Sequence, residues 1–334
     1  MKVLVTGGAG YIGSTTAKAL EEAGHVPVIL DSLLTGPRAF VRDRIFYEGD
    51  IADRPLLRRV FADHPDIAAT IHMAARIIVP ESMQLPYEYY RDNVAKSLEL
   101  FDELAALGKP RVLFSSSASL YAVKDDFEVT EDDPLAPGSP YARTKRMMEQ
   151  ILEDMARATD LRAIILRYFN PIGSDPDLQS GIYAKEPTHV LGQLVLAARG
   201  QKDSFTITGT EHPTRDGTGI RDYIHVWDLA RAHVRAVEKF DEVLATVEAP
   251  SVVINVGTGQ GVTVRELVSS FERVFGAKVP VTEAAPRPGD AVGAFANVDR
   301  SVELLGWRAE LSIDDAITSA LAWAAVREET LGYE

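Results

Sequence analysis

Short apolar runs alternate with amphipathic stretches through the first half of the chain. Lys2-Val3-Leu4-Val5-Thr6 is apolar and β-branched and stops at glycine, which predicts a buried strand. Ser14 to Ala23 then sets Ala17, Leu20 and Ala23 on one helical face. Val26 to Leu30, closed by Asp31, reads as a second strand, and Arg44 to Ile51 as a third that runs into a polar loop. Asp53 is placed to cap a helix through Phe61, with Pro55 in its first turn. Ala69 to Met73 makes a fourth strand ending in Ala74-Ala75, and Tyr87 to Leu107 one long helix that carries Asn93 among apolar neighbours. Val112-Leu113-Phe114 runs into Ser115-Ser116-Ser117, a helix follows from Tyr141 to about Ala158, and Leu161 to Phe169 is the sixth strand. Such alternation predicts an α/β fold, a Rossmann-like doubly wound parallel sheet whose ligand crevice lies at the carboxyl ends of the strands.

The pattern loosens beyond Asn170. Residues 173–187 are turn-rich, a last helix lies near Ile313 to Arg327, and Val252 to Asn255 reads as a late strand returning to the main sheet. The expected organisation is a nucleotide-binding domain over 1–170, with returning segments near 221–255. A smaller substrate-binding lobe is expected from 171–220 and 256–334.

Composition narrows the chemistry. The chain has 334 residues, enough for one large core and a smaller one, with 46% hydrophobic and 25% charged residues. Its formal net charge of −14 argues against nucleic acid and anionic membrane partners. There are 0 cysteines, so disulfides, thiol nucleophiles and thiolate metal sites are excluded, and no metal is expected. The first strand starts at Lys2 and no apolar run reaches membrane-spanning length, so a cytoplasmic protein is expected.

The candidate chemistry begins at Gly7. Gly8-Ala9-Gly10-Tyr11-Ile12-Gly13 satisfies G-x-G-x-x-G between a strand and a helix. A Cβ in such a turn would block the backbone from a pyrophosphate, and the helix N-terminus offers free N–H groups to phosphate. Asp31 stands where a ribose 2′-hydroxyl would be read, and its charge would repel a 2′-phosphate, which favours NAD. Tyr141 and Lys145, four residues apart on a helix, share one face. An adjacent ammonium stabilises a phenolate and brings tyrosine toward service as a general base. Ser117 can hydrogen-bond the same substrate oxygen.

These features resemble the extended short-chain dehydrogenase/reductase superfamily. Phe114-Ser115-Ser116-Ser117-Ala118, Ser139-Pro140-Tyr141, Leu166-Arg167-Tyr168-Phe169-Asn170-Pro171, the run from Gly217 to Val226, Arg287-Pro288-Gly289-Asp290 and Leu305-Gly306-Trp307 narrow the resemblance to its UDP-glucose 4-epimerase family, over essentially the whole chain. The resemblance implies that Tyr141 is the base on the sugar 4-hydroxyl, assisted by Ser117, and that Lys145 holds the nicotinamide ribose. It implies a cofactor seat of Gly7, Gly10, Tyr11, Ile12, Gly13, Asp31, Ser32, Asp50, Ile51, Ala74, Ala75, Asn93, Tyr141, Lys145 and Tyr168. Asn170, His189, Val190, Arg221, Arg287, Asp290 and Ala294 would join Ser117 and Tyr141 around the UDP-sugar. The arginines would supply the positive charge that a diphosphate needs inside an acidic chain. It further implies bound NAD recycled through a 4-keto sugar that turns over in the site, and a homodimer built on the helices Tyr87 to Leu107 and Tyr141 to Ala158.

The chain departs from the family pattern in four places. Ser32 stands where asparagine is frequent, and Arg76-Ile77 where a lysine near the phosphates is frequent, with Arg76 as its substitute. His189-Val190-Leu191-Gly192 lacks the proline of the uridine-contacting segment, and Ala294 replaces a bulky tyrosine found in some members, which would open the pocket to N-acetylhexosamines. The alternatives are a 4-epimerase of a UDP-uronate or UDP-pentose, a sugar-nucleotide dehydratase, and a non-catalytic dinucleotide-sensing regulator. Ser115 to Tyr121 holds no Asp or Glu for a dehydratase, and the Tyr141/Lys145 pair weighs against a regulator.

Overall fold

The computed structural model describes residues 1–286 and 292–332. Seven parallel strands form the main sheet, in the order Ser251–Val256, Arg162–Tyr168, Arg111–Ser115, Ile67–His72, Lys2–Thr6, Val26–Asp31, Ile45–Glu48. The order reverses beside Lys2–Thr6, so the crevice opens at the carboxyl end of the first strand. Successive residues of a strand face opposite sides, and the cores follow that rule. Val3 and Val5 pack under the helices Tyr11–Glu22 and Val226–Glu238, whereas Leu4 packs with Leu57, Phe101 and Leu152 on the other face. Both faces are covered, which explains why the strands read as continuous apolar runs.

The predicted late strand does return: Ser251–Val256 pairs in parallel with Arg162–Tyr168. Asp53 caps its helix, accepting the Leu56 N–H at 3.0 Å. The helix after the glycine turn starts earlier than its apolar face implies, at Tyr11. The long helix expected over Tyr87 to Leu107 is not uniform. It runs as Pro86–Tyr89, a π-helical turn Tyr90–Ala95 and Lys96–Ala106, preceded by the unpredicted helix Val79–Gln84. The π turn places Asn93 in full burial. Such single-turn widenings recur at functional sites.

The remaining described residues form a third core and three small sheets. Leu191, Phe205, Leu267, Phe271 and Ile317 pack together around the helices Val190–Ala198, Val264–Phe275 and Ile313–Leu331. A four-stranded sheet orders Val262–Thr263, Ile220–Arg221, Gly293–Ala296 and Glu128–Val129, so a segment from the first half of the chain joins it. No helix among the described residues is long and apolar enough to cross a membrane.

Burial keeps four imidazoles neutral. It lowers His72 from 6.5 to about 3 and His189, His225 and His233 each to about 4. The unfolded chain therefore binds more protons than the folded one between these values and 6.5, and stability must fall as pH drops through that window. Urea unfolding at about pH 7.5 and about pH 5 should show a lower free energy at the acid value; equal free energies would contradict neutral burial of these side chains.

Candidate active site

The first strand ends in a turn where backbone meets backbone. Gly7 has φ +74°, and a Cβ there would lie 2.7 Å from the Ala74 nitrogen. A Cβ on Gly13 would lie 2.2 Å from the Gly7 carbonyl oxygen. Only glycine lets the strand, the helix and Ala74 approach this closely. Gly10 serves a different purpose. A Cβ there meets only the Gly7 oxygen, at 3.2 Å, and would otherwise stand in open space before the helix. The first intrahelical bond is Ser14 N–H to Gly10 O at 2.9 Å, so the Tyr11, Ile12 and Gly13 N–H groups precede it. This cradle fits a dinucleotide pyrophosphate.

Asp31 braces the cradle from the second strand. Its carboxylate accepts the Ala9 N–H at 2.9 Å and the Leu33 N–H at 2.8 Å. Burial raises its pKa and these two donors oppose the rise. Arg38, the nearby cation, pairs with Glu48. Asp31 thus keeps a negative rim that suits a free ribose diol. Ser32 is exposed beside it, and Ala74 and Ala75 are half-buried. Asp50 accepts Lys96 Nζ at 2.6 Å and the Ala52 N–H at 2.9 Å, while Ile51 is buried.

Ser139 caps the helix Pro140–Ala158, accepting the Ala142 N–H at 3.2 Å, and so sets Tyr141 and Lys145 in its first two turns. Both are buried. Lys145 Nζ donates to the Ser115 carbonyl at 2.7 Å and lies 5.1 Å from the centre of the Phe114 ring. Burial lowers its pKa to about 7, against an opposing pull from Glu149 one turn along. Burial raises Tyr141, and the nearby Ser117 hydroxyl, which itself donates to Ser119 Oγ at 2.9 Å, opposes the rise. The rise comes from desolvation, while Lys145 directs one of its three N–H donors to the Ser115 carbonyl. Tyr168, at the end of its strand, is pushed up by burial and by Tyr141.

A buried polar chain absent from the sequence reading supports this pair. Thr6 Oγ1 meets His72 Nδ1 at 2.8 Å, His72 Nε2 meets Ser97 Oγ at 2.9 Å, and Ser97 donates to the Asn93 carbonyl at 2.6 Å. Asn93 Nδ2 donates to the Arg76 carbonyl at 3.0 Å and to Thr144 Oγ1 at 3.1 Å, while its Oδ1 accepts the Arg76 N–H at 2.7 Å. Thr144 donates to the Tyr141 carbonyl at 2.7 Å. Asn93 therefore spends its amide donors inside the protein and ties the loop after the fourth strand to the Tyr141 helix. Arg76, the candidate substitute for a phosphate-side lysine, donates its Nε to Asp92 at 2.7 Å. Glu149 is the other hidden contributor, fully buried, accepting two bonds from Arg167 at 2.9 and 2.8 Å and one from Ser116 at 2.5 Å. Its signal was available, since a glutamate four residues after Lys145 shares the same helix face.

The far wall comes from the second half of the chain. Asn170 is exposed at the start of the strand Asn170–Ile172, which pairs in parallel with Tyr223–His225. Arg221 stands opposite Ala294 in the small sheet, and its Nη1 donates to the Ile220 and Val292 carbonyls at 2.7 and 2.5 Å. Between Arg221 and Tyr223, buried Asp222 gathers the Thr258, Gly259 and Ala296 N–H groups at 2.8, 3.1 and 3.2 Å. His189 caps the helix that begins at Val190, accepting the Gly192 N–H on Nδ1 at 3.3 Å. The proton therefore sits on Nε2, which is buried without a partner. Arg287 and Asp290 lie outside the described residues. Among the described residues, no group of His, Asp or Glu is placed to hold a metal.

Known proteins share this chain's sequence pattern and fold. Residues 3–257 match the NAD dependent epimerase/dehydratase family. The UDP-glucose 4-epimerase of Azospirillum brasilense is 42% identical over 333 residues, covering 99% of this chain and 94% of that one. Among solved structures, UDP-glucose 4-epimerase from Brucella ovis in complex with NAD superposes with a TM-score of 0.89 at 40% identity, covering 96% of this chain and 97% of that one. The enzyme from Stenotrophomonas maltophila, with bound NAD and formylated UDP-arabinopyranose, gives 0.92 at 35% identity, covering 98% and 99%. With its glycine cradle, its Tyr141/Lys145 helix and this full-length similarity, the chain belongs to the NAD dependent epimerase/dehydratase family and, within it, to the UDP-glucose 4-epimerases.

Proposed function

We propose that the chain interconverts UDP-glucose and UDP-galactose by inverting carbon 4, with a resident NAD. The observation that carries the reading is the burial of Tyr141 and Lys145, one turn apart on the helix that Ser139 caps. NAD supplies the hydride acceptor and donor when bound. The chain supplies everything else. Gly7, Gly10, Tyr11, Ile12 and Gly13 seat the pyrophosphate, Asp31 and Ser32 face the adenosine ribose, and Asp50 and Ile51 border the adenine. Ala74, Ala75 and Tyr168 wall the nicotinamide side, with Asn93 acting through the Arg76 backbone. Lys145 holds the nicotinamide ribose and, in its ammonium form, favours ionised Tyr141.

Tyr141 takes the proton of the sugar 4-hydroxyl while Ser117 hydrogen-bonds the same oxygen. The resulting 4-keto sugar turns over while its nucleotide stays held by Asn170, His189, Val190, Arg221, Arg287 and Asp290. Tyr141 then returns the proton to the inverted centre. Holding the diphosphate in place keeps both faces of carbon 4 within reach of one base. Residues 1–170, with the returning segments near 221–255, form the NAD-binding unit in this reading, and 171–220 with 256–334 form the sugar-nucleotide lobe. Ala294, opposite Arg221, leaves room beside the sugar for an N-acetyl group.

The helices Lys96–Ala106 and Pro140–Ala158 present Leu98 and Met147, 43% and 40% exposed, on their outer faces. We propose that these faces meet a second copy of the chain.

Purified protein without added NAD should convert UDP-galactose to UDP-glucose and release NAD on acid denaturation. Tyr141→Phe should cut kcat by about 10²–10⁴-fold while the NAD content stays at the parent level; unchanged turnover would remove Tyr141 from the chemistry. UDP-N-acetylgalactosamine should also be converted, and turnover of the plain hexoses alone would show that Ala294 does not open the pocket. Sedimentation should give a dimer that Leu98→Glu with Met147→Glu dissociates; a dimer indifferent to both charges would place the interface elsewhere.

A further inference from the structure

One stripe of the helix Tyr11–Glu22 is devoted to the segment that follows Asn170-Pro171-Ile172. Tyr11, Thr15 and Lys18 are spaced to share a helical face. Tyr11 Oη donates to the Gly173 carbonyl at 2.7 Å, Thr15 Oγ1 shares its proton between Ser180 Oγ at 3.1 Å and the Tyr11 carbonyl at 2.9 Å, and Lys18 Nζ meets Asp177 at 2.6 Å. Arg42 adds a bond to the Gln179 carbonyl at 3.0 Å. The segment is closed on itself by Asp175, fully buried, which accepts the Ser180 hydroxyl at 3.0 Å and the Asp177 N–H at 2.9 Å. Its other side is pinned to the C-terminal helix. Ser174 N–H and Oγ bond Ser319 at 3.1 and 2.9 Å, and Trp323 Nε1 donates to the Ile182 carbonyl at 2.8 Å. Thr15 and Ser180 are 0% and 3% exposed, so their contact is made away from water.

Tyr11 opens the helix whose N-terminus forms the pyrophosphate cradle. The 173–180 segment leads from the substrate-side strand into the smaller core. Fastening one to the other ties the substrate-side wall to the cofactor seat. We propose that Thr15, Lys18, Asp175, Asp177 and Ser180 form a clasp that keeps the substrate-side wall closed against the cofactor seat, so that NAD stays bound between turnovers. They are positioning residues: none touches the reacting atoms, and each acts by holding the wall down. The inference rests on the resident-NAD reading above.

The test follows release of bound NAD from the holoenzyme, by its fluorescence after reduction with borohydride or by acid extraction during dialysis. Losing a buried hydrogen bond of this kind corresponds to about a five- to tenfold change in an equilibrium or rate. Thr15→Val combined with Ser180→Ala should release NAD faster by about that factor, while kcat at saturating added NAD stays at the parent value and Thr15→Ser restores slow release. Because the chain has 0 cysteines, Thr15→Cys with Ser180→Cys introduces its only two thiols. Oxidised, this variant should hold NAD longer than the same protein reduced. Release at the parent rate in the Val/Ala variant, or a kcat at saturating NAD that falls as far as retention does, would overturn the clasp. A parent protein that never carries NAD would instead overturn the resident-cofactor reading.

Discussion

Everything in this protein is arranged around a close approach of three backbones. The first strand, the helix after it and the end of the fourth strand meet at Gly7, Gly13 and Ala74 with no room for another carbon. That contact pulls the helix N-terminus down onto the carboxyl edge of the sheet. It also sets the strands on either side to deliver Asp31, the Ala74-Ala75 wall and the serine run to one crevice. A methyl group at Gly13 would push the helix off the Gly7 carbonyl, and the phosphate cradle would lose its shape before any ligand arrived.

Burial then decides the character of the groups that face this crevice. The chain is acidic, yet its candidate site is built from a lysine pushed down to about 7, a tyrosine pushed up, and an imidazole held neutral between two hydroxyls. In the dry interior, each charge or hydroxyl is held by a small number of partners, so its protonation answers strongly to what enters the crevice. Lys145 sits between opposing influences, desolvation lowering it and Glu149 raising it. Glu149 tolerates full burial because Arg167 bonds it twice, and Ser116 and Arg146 once each.

Much of the site was legible because local chemistry dictates local geometry. The glycine spacing, Asp31 at a strand end, the helical spacing of Tyr141 and Lys145, and the cap at Ser139 each express a rule that acts within a few residues. The strand periodicity likewise marked six strands of the main sheet and the late return at Val252 to Asn255. The long helix over Tyr87 to Leu107 was read without its π turn, because apolar periodicity does not register one extra residue in a turn. Arg76 was read as a substitute for a phosphate-side lysine, without its bond to Asp92, because Asp92 lies in that altered turn.

The sequence by itself determined the cradle, the order of strands and helices, and the tyrosine-lysine pair, since these depend on backbone freedom and on short-range helical or strand spacing. Tertiary structure alone decided that His72 bridges Thr6 and Ser97, that Asn93 spends its amide on Arg76 and Thr144, and that the Tyr11 helix grips the segment from Gly173 to Ser180. Those contacts join residues tens to more than a hundred positions apart. No local pattern encodes them, because they form only when the sheet brings its strand ends together.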